Sequence, residues 1–239
     1  MKPALVLQHL DDGGPGLFAE YAEGAGMPVQ VLRHDLGEPL PEHDRLVDYS
    51  VLCICGGTQG VNDPDPWIDR EVELVKAAAG INLPVVGHCL GGQMISKALG
   101  GEVHSGAVTE FGWQRLVAAD NPTARAWLGH DGGPFEAMQW HNDVCTLPPG
   151  AAPLLEGEHW RNQAFVAGNM LAMQFHIELT AALINHWTVK LRHLVPPPSA
   201  SVQSVEEVTE QTPRNLEISR RLAFRLYRTC LAGTLQTSV

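Results

Sequence analysis

The amino-acid sequence predicts an α/β fold: a three-layer, open, mainly parallel sheet flanked by helices, with a smaller hairpin-rich antiparallel region. In the first half of the chain, short apolar runs alternate with helical patterns, and two of those runs end in glycine-rich turns. In the middle of the chain, shorter strand-like runs follow one another closely. Alternating strands and helices are typical of parallel sheets covered on both faces.

The first half of the chain supplies the predicted parallel strands and their helices. Asp65 is a favourable N-cap residue for one helix, and Pro66, which follows it, is favourable at the first helical position. Gly100-Gly101 suits the end of another helix. Strands are predicted over Pro3–His9, Val29–His34, Tyr49–Cys55 and Leu83–Gly87, and helices over Gly16–Ala25, from Pro66 onward, and over Leu90–Leu99.

The second half of the chain changes character. Gln114–Ala118, Ala164–Val166 and Met170–Phe175 have the composition of short strands, and an Ala-Gly-Asn turn joins the last two. Residues 1–195 are predicted to form one domain. Residues 196–213, rich in proline, serine and glutamate, are predicted to be a linker. Residues 214–239 are predicted to form a C-terminal helix that packs on the same domain or on a partner.

Composition excludes several classes of partner. The net charge of −11 argues against nucleic acid and against an anionic membrane surface. No apolar run approaches the ~20 residues that a transmembrane helix needs. Five scattered cysteines are an odd number, which favours a reducing compartment over a secreted disulfide scaffold. We therefore expect a cytoplasmic protein whose partner is a small molecule, with homo-oligomerisation left open.

A cysteine stands between glycines where a predicted strand becomes a helix. The sequence Gly87-His-Cys89-Leu-Gly91 has the pattern of a nucleophile elbow with cysteine in place of serine. Such a turn exposes the sulfur and places it at a helix N-terminus, which favours the thiolate. A small buried cysteine in a glycine-rich turn would give the same short pattern, so Cys89 needs a second observation.

That second observation is a histidine at the end of another strand. His176 ends the apolar run that begins at Met170, so it belongs at the carboxyl edge of the same sheet. Glu178 lies two residues further on, and residues i and i+2 of an extended chain point to the same side. A cysteine nucleophile needs a base, and the base needs an orienting group. His176 and Glu178 supply these two groups.

Two other kinds of site are not predicted. The spacing of His141, Asp143, His159 and His176 fits no recognised set of metal ligands, and Trp140–Asp143 is predicted to be a loop near the mouth of the active site. The glycines after the first strand lack the spacing of a nucleotide-binding loop and include a proline. We expect no metal and no cofactor.

With these motifs in order, the chain resembles the class I (triad) glutamine amidotransferases, and in particular stand-alone members related to the glutaminase domain of GMP synthase. The resemblance covers residues 1–180 approximately and includes several further ordered segments. The motifs read Gly87-His-Cys89-Leu-Gly91-Gly-Gln93 and Gln174-Phe175-His176-Ile-Glu178, and the further segments are Gly56-Gly57, the helix DPWIDREVELVKAA, Glu110–Trp113 and Trp140–Asp143. The resemblance implies a flavodoxin-like fold.

The resemblance also implies a role for each site residue. Cys89 would attack the glutamine side-chain amide to form a γ-glutamyl thioester, with His176 moving the protons and Glu178 orienting His176. The backbone N–H groups of Gly57 and Leu90 would hold the oxyanion. The substrate-binding residues implied are Gln93, Gly56, Ser105 and Gly106. A separate synthetase that accepts the ammonia is an implied partner.

Two residues depart from the family pattern. Ile177 replaces the usual proline between His176 and Glu178, but isoleucine also prefers extended backbone. His88 stands where a small or apolar residue is commoner, and its side chain is expected to point away from Cys89 with a neutral role. Neither change removes a reacting group.

Alternatives to glutamine hydrolysis stay open. A γ-glutamyl peptidase or hydrolase would use the same chemistry with a different leaving-group pocket. An α/β-hydrolase with a cysteine nucleophile is disfavoured, because its acid precedes its histidine in the chain. An inactive triad-fold protein with a binding or regulatory role is the non-enzymatic alternative.

Overall fold

The computed structural model describes residues 1–11 and 13–235 and contains one nine-stranded sheet in that part of the chain. The strands lie in the order β2-β1-β3-β4-β9-β8-β7-β5-β6. They are Ala4–Leu7 (β1), Val29–Leu32 (β2), Val51–Ile54 (β3), Val85–His88 (β4), Val103–Ala118 (β5), Phe135–Cys145 (β6), Ala152–Gly157 (β7), Ala164–Ala167 (β8) and Met170–Met173 (β9). The helices are Gly16–Gly24 (α1), Pro66–Gly80 (α2), Leu90–Ala98 (α3), Pro122–Leu128 (α4), Ala181–Lys190 (α5) and Val205–Leu235 (α6).

The parallel half of the sheet comprises β2, β1, β3, β4 and β9. Strands β1, β3, β4 and β9 are buried along their whole length, as expected when helices cover both faces. Helices α1, α4 and α6 cover one face, and α2 and α3 cover the other. The predicted α/β fold with a central sheet flanked by helices is confirmed, but the sheet is mixed and not mainly parallel: four of its strand pairs are parallel and four are antiparallel.

The antiparallel half runs from β9 through β8, β7 and β5 to β6. Its longest pair is β5 with β6, whose register shifts between Ser105 and Glu110. The segment Trp140–Asp143 lies on strand β6, so the prediction of a loop there was wrong. A strict apolar–polar alternation would have revealed a strand here. Strand β6 is largely buried and lacks that alternation.

Helix α6 begins at Val205, inside the segment 196–213 that was predicted to be a linker. Ser204 explains the early start, because its hydroxyl accepts from the N–H of Glu207 at 3.2 Å while the Glu207 carboxylate accepts from the N–H of Ser204 at 2.7 Å. This reciprocal arrangement is a capping box. Pro213 lies inside the helix and does not end it. The last predicted helical residues, 236–239, lie outside the described residues.

Helix α6 packs against the sheet and contributes to its core. Leu222, Leu226 and Tyr227 are buried, and the Tyr227 ring meets Phe18 of α1 edge-on at 5.3 Å between ring centroids. No helix in the described part of the chain is both long enough and apolar enough to cross a membrane.

Candidate active site

Cys89 lies at a sharp turn between β4 and α3. Its backbone has φ of 49° and ψ of −107°, an uncommon conformation for a residue other than glycine. Its N–H donates to the Met173 carbonyl of β9 at 2.8 Å, which holds the turn against the neighbouring strand. A Cβ on Gly87 would lie 2.5 Å from the Gly91 backbone. Only glycine at position 87 therefore allows β4 and α3 to lie this close together.

His176 and Glu178 lie just beyond the end of β9, beside this turn. The N–H of His176 donates to the Met138 carbonyl of β6 at 2.8 Å. His176 Nδ1 is 2.7 Å from Glu178 Oε1, as expected for neighbouring side chains on one face of an extended segment. Ile177, in the place of the usual proline, is buried and leaves this contact intact.

The imidazole of His176 also interacts with the Cys89 thiol, whose Sγ lies 3.7 Å from the Trp140 carbonyl. Because Nδ1 is engaged by Glu178, Nε2 is the nitrogen left for the sulfur. Burial of the ring lowers the pKa of His176, but the Glu178 carboxylate and the hydrogen bonds to Cys89 and Glu178 outweigh it and raise the pKa to about 10. The site therefore favours an imidazolium beside the sulfur, which is the state that stabilises a thiolate.

Glu178 is fixed on both its side chain and its backbone. Burial raises the pKa of Glu178, but the imidazoles around it hold the pKa below its usual range. We attribute this lowering to His176, because burial also lowers the pKa of His88 and keeps that ring neutral. The Glu178 carbonyl accepts from the N–H of Leu17 at 2.7 Å, so the start of α1 holds the segment in place.

The Gly56-Gly57 turn after β3 closes one side of the site. A Cβ on Gly56 would lie 2.8 Å from His176 Cε1 and 3.5 Å from the Cys89 Cβ. On the far side of the turn, the carbonyl of Gly56 lies 3.4 Å from Nδ1 of His9, and Nε2 of His9 lies 2.9 Å from Glu71 Oε2. The turn is thus packed between two buried His–Glu pairs.

A cavity of about 470 Å³ opens in front of Cys89. One wall is polar and includes Gln93 and Asp143, and the Gln93 amide donates to the Asp143 carbonyl at 3.3 Å. The opposite wall is mainly aromatic and aliphatic. It is formed by Trp140, Leu179, Trp187, Leu191, Leu194 and Pro196.

The structure brings most of the predicted site residues together. Cys89, His176, Glu178, Gln93 and the Gly56-Gly57 turn all line the cavity. Leu90, Ser105 and Gly106 do not line it. The Leu90 side chain packs against Gly57. The Leu90 group that was predicted to hold the oxyanion is its backbone N–H, which lies at the start of α3.

Ser105 and Gly106 face other parts of the protein. The Ser105 hydroxyl donates to the Asp143 carboxylate at 2.9 Å, and a Cβ on Gly106 would meet the Trp160 ring at 2.6 Å. Neither residue lines the cavity, although Ser105 contacts Asp143, which does, so their role in substrate binding stays a prediction.

Sequence reasoning missed several residues that line the cavity. Asp143 was weighed as a metal ligand and placed in a segment near the mouth of the active site, but it was given no role of its own at the site. Trp187 was missed entirely, because an aromatic residue inside an amphipathic helix is more often a core residue. Its ring meets that of His176 edge-on at 4.8 Å. Within the described residues, no three or more His, Cys, Asp or Glu side chains are grouped to hold a metal ion.

The comparisons with known proteins agree with this geometry. The family model for class I glutamine amidotransferases matches residues 17–189. The chain belongs to the class I glutamine amidotransferase family.

Individual relatives carry the same description. The chain is similar to YfeJ of Salmonella typhimurium, a protein named as glutamine amidotransferase-like, with 29% identity over 72% of this chain and 75% of YfeJ. It is 34% identical to one subunit of the glutamine-hydrolysing GMP synthase of Sulfolobus acidocaldarius, over 57% of this chain and 71% of that relative. The crystal structure of a glutamine amidotransferase from Methylobacillus flagellatus superimposes with a TM-score of 0.92, 33% identity and coverage of 98% and 95% of the two chains.

Proposed function

We propose that this protein hydrolyses the side-chain amide of glutamine to glutamate and ammonia through a thioester on Cys89. The observation that carries the proposal is the arrangement of Cys89, His176 and Glu178 at one end of a ligand-sized cavity. Membership of the amidotransferase family supports the reaction class, and the residues supply each group that the reaction needs.

In the first half of the reaction, the Cys89 proton resides on His176 Nε2 in an imidazolium–thiolate pair, and the sulfur attacks the amide carbon. The tetrahedral intermediate collapses when His176 returns that proton to the nitrogen, which leaves as ammonia. Water then attacks the thioester, His176 takes a proton from the water, and the sulfur departs with a proton as glutamate is released. Glu178 holds the ring in the orientation that both halves require.

The oxyanion of each intermediate would be held by the N–H groups of Gly57 and Leu90. Leu90 is the first residue of α3, where backbone N–H groups have no partner within the helix. The carbonyl of Gly56 faces His9, and the C=O and N–H of a trans peptide point in opposite directions. The N–H of Gly57 is therefore directed away from His9, toward the reacting side of the turn.

A second candidate function is hydrolysis of γ-glutamyl amides that carry a larger amine. The apolar wall and the cavity volume favour it, since cavities of roughly 300–1,000 Å³ hold drug-sized ligands and ammonia needs almost no space. Trp187 lies beside His176, the residue that delivers the proton to the leaving nitrogen. An apolar amine would leave along this wall.

Purified protein assayed on glutamine and on γ-glutamyl dipeptides with apolar amines tests both candidates. Turnover of glutamine alone supports the first function, and preference for the dipeptides supports the second. Inactivity on both substrates, with Cys89 still alkylated by a glutamine-like chloroketone, would point to a separate synthetase that activates the enzyme. Equal reactivity of Cys89 and Cys145 toward that reagent would contradict both functions and favour the inactive, non-enzymatic alternative.

A further inference from the structure

His88 and Tyr227 form a buried pair directly behind the triad carboxylate. His88 is the last residue of β4, and its Nε2 lies 2.9 Å from the hydroxyl oxygen of Tyr227 on α6. Both side chains are completely buried. Tyr227 lies beyond residues 17–189, the part of the chain that the family model matches. A helix outside that part therefore reaches the back of the site.

Glu178 has one oxygen without a hydrogen-bond partner. Oε1 is engaged by His176, whereas Oε2 is buried and unpaired. His88 Nε2 lies 3.9 Å from Oε2, too far for a hydrogen bond. A buried carboxylate oxygen left without a donor is costly, and a polar ring so close to it would ordinarily supply one.

The protons that Tyr227 and His88 carry explain why His88 donates no hydrogen bond to Glu178. Burial and the charge of Glu178 raise the pKa of Tyr227, so its hydroxyl keeps its single proton. Burial lowers the pKa of His88, although Glu178 opposes this, so the ring is neutral and carries one N–H. When Tyr227 donates to Nε2, the His88 proton must be on Nδ1, and nothing on Nε2 can reach Glu178. Nδ1 is buried without a well-formed hydrogen bond, although the Ile54 backbone lies beside the ring.

We propose that Tyr227 and His88 are positioning residues: the Tyr227 hydroxyl donates to Nε2 of His88 and thereby keeps the His88 proton away from Glu178. The Glu178 carboxylate is then left to interact through Oε1 with His176 alone. The inference rests on the proposed function for its meaning, because it concerns how strongly Glu178 supports the imidazolium beside Cys89. Helix α6 becomes part of the active-site support.

Removal of the Tyr227 hydroxyl changes this balance. Nε2 of His88 can then carry the ring proton and turn toward Glu178 Oε2. A carboxylate that shares its charge with a second donor supports His176 less, so the imidazolium beside Cys89 loses its proton at a lower pH. The other titratable groups near this cluster are Tyr21 of α1, which packs on Tyr227, and three thiols: Cys53 and Cys55 on and after β3, and Cys230 on α6.

The first test is the rate at which iodoacetamide alkylates Cys89, followed by mass spectrometry over roughly pH 5 to 11. Because the pKa of His176 is raised to about 10, the ring stays protonated at neutral pH, and Tyr227→Phe is expected to move the step of the profile near pH 10 about one pH unit lower. Tyr21→Phe is the matched control, because Tyr21 packs on Tyr227 at 5.7 Å between ring centroids without touching His88. Equal rates in all three proteins would overturn the proposal.

The second test is the tautomer of His88, read from ¹⁵N chemical shifts of histidine-labelled protein. The expected result is a proton on Nδ1 in the wild type and on Nε2 in Tyr227→Phe. A proton on Nε2 in the wild type would overturn the proposal. Neither measurement needs a substrate, so failure to hydrolyse glutamine would remove the proposed function and leave this inference standing.

A double variant separates the hydroxyl from packing. In a His88→Leu background, Tyr227→Phe should leave the alkylation rate of Cys89 unchanged, because the hydroxyl acts through His88. The same shift of the profile in that background would show that Tyr227 acts through packing alone and would contradict the proposed route. If His88→Leu does not fold, the tautomer measurement decides.

Discussion

Two buried histidine–glutamate pairs lie on opposite sides of the Gly56-Gly57 turn. In each pair one nitrogen of the histidine ring contacts the glutamate, and the pairs differ in the group that the other nitrogen contacts. His176 faces Glu178 on one side and the Cys89 thiol on the other. His9 faces Glu71 on one side and the Gly56 carbonyl on the other. One ring can exchange a proton with a nucleophile, and the other can only hold a backbone peptide.

Electrostatics alone would not separate the two pairs. Burial lowers the pKa of His9, but the hydrogen bond and charge of Glu71 outweigh it and raise the pKa, as happens in the His176 pair. Both partners of His9 are hydrogen-bond acceptors, an arrangement that suits a ring with a proton on each nitrogen. A raised histidine pKa therefore marks a buried carboxylate partner, and the atom on the other nitrogen decides the chemistry.

The largest expected effect comes from removing the group that distinguishes the pairs. Cys89→Ala should reduce hydrolysis by at least about 10⁴-fold, because the nucleophile is lost and only binding and the oxyanion site remain. Steady-state assay of the variant measures this. Cys145→Ala is the matched control, since Cys145 is also buried and burial raises its pKa to about 12. A similar loss in both variants would show that the nucleophile is misassigned.

The next effect contrasts the two carboxylates. Glu178→Gln should lower kcat roughly 10²–10⁴-fold, because the charge that supports the His176 imidazolium is lost. Glu71→Gln should lower kcat about tenfold, because the Gly56-Gly57 peptide is then held less firmly. It should also lower the midpoint of thermal unfolding more than Glu178→Gln does. Parallel kinetic and unfolding measurements test the contrast. Equal kcat values in the two variants would remove the distinction between a reacting pair and a supporting pair.

The sequence predicted the parallel half of the fold and the three residues of the proposed reaction for the same reason. Apolar runs in β1, β3 and β4 are buried on both faces, and the residues at their carboxyl ends fall at one edge of the sheet. The motif residues Cys89 and His176 occur there. His9 could have been noticed on the same ground, because it follows β1.

The antiparallel half and the supporting residues could not be predicted in this way. Strand β6 lacks a readable period, and the start of α6 depends on a capping box inside a segment whose composition is typical of a proline-rich linker. Tyr227 meets His88 across 139 positions of chain, and Glu71 meets His9 across 62. Such contacts depend on how helices pack on the sheet, and the spacing of residues along the sequence does not predict that packing.

Stability as a function of pH offers a third test of the two pairs. The pKa of His176 is raised from 6.5 in the unfolded chain to about 10, so its contribution is fully present below pH 6.5 and is lost as pH rises toward 10. The free energy of unfolding should fall across that window by at most about 1.4 kcal/mol per pH unit for this one proton. His176→Asn should flatten the curve, and chemical denaturation at several pH values measures it.

His9→Asn is the matched comparison for that measurement. The pKa of His9 is also raised, so its loss should likewise remove part of the decline above pH 6.5. The two variants should differ in activity at neutral pH, because only His176 moves protons in the proposed reaction. A wild-type stability that rises between pH 6.5 and 10 would contradict the sign assigned to both histidines.

The smallest expected effect contrasts the two tryptophans that pack on these rings. Trp187 meets His176 edge-on at the apolar wall of the cavity, whereas Trp67 stacks on His9 at 4.9 Å between ring centroids, behind the turn. Trp187→Phe should raise KM for γ-glutamyl amides of apolar amines about threefold to tenfold, the cost of a few lost methylene-sized contacts, and should change KM for glutamine less. Trp67→Phe should leave both KM values unchanged and lower only thermal stability. If Trp187→Phe raises KM for glutamine and for the amides equally, the apolar wall serves the glutamyl part of the substrate and the second candidate function loses its support.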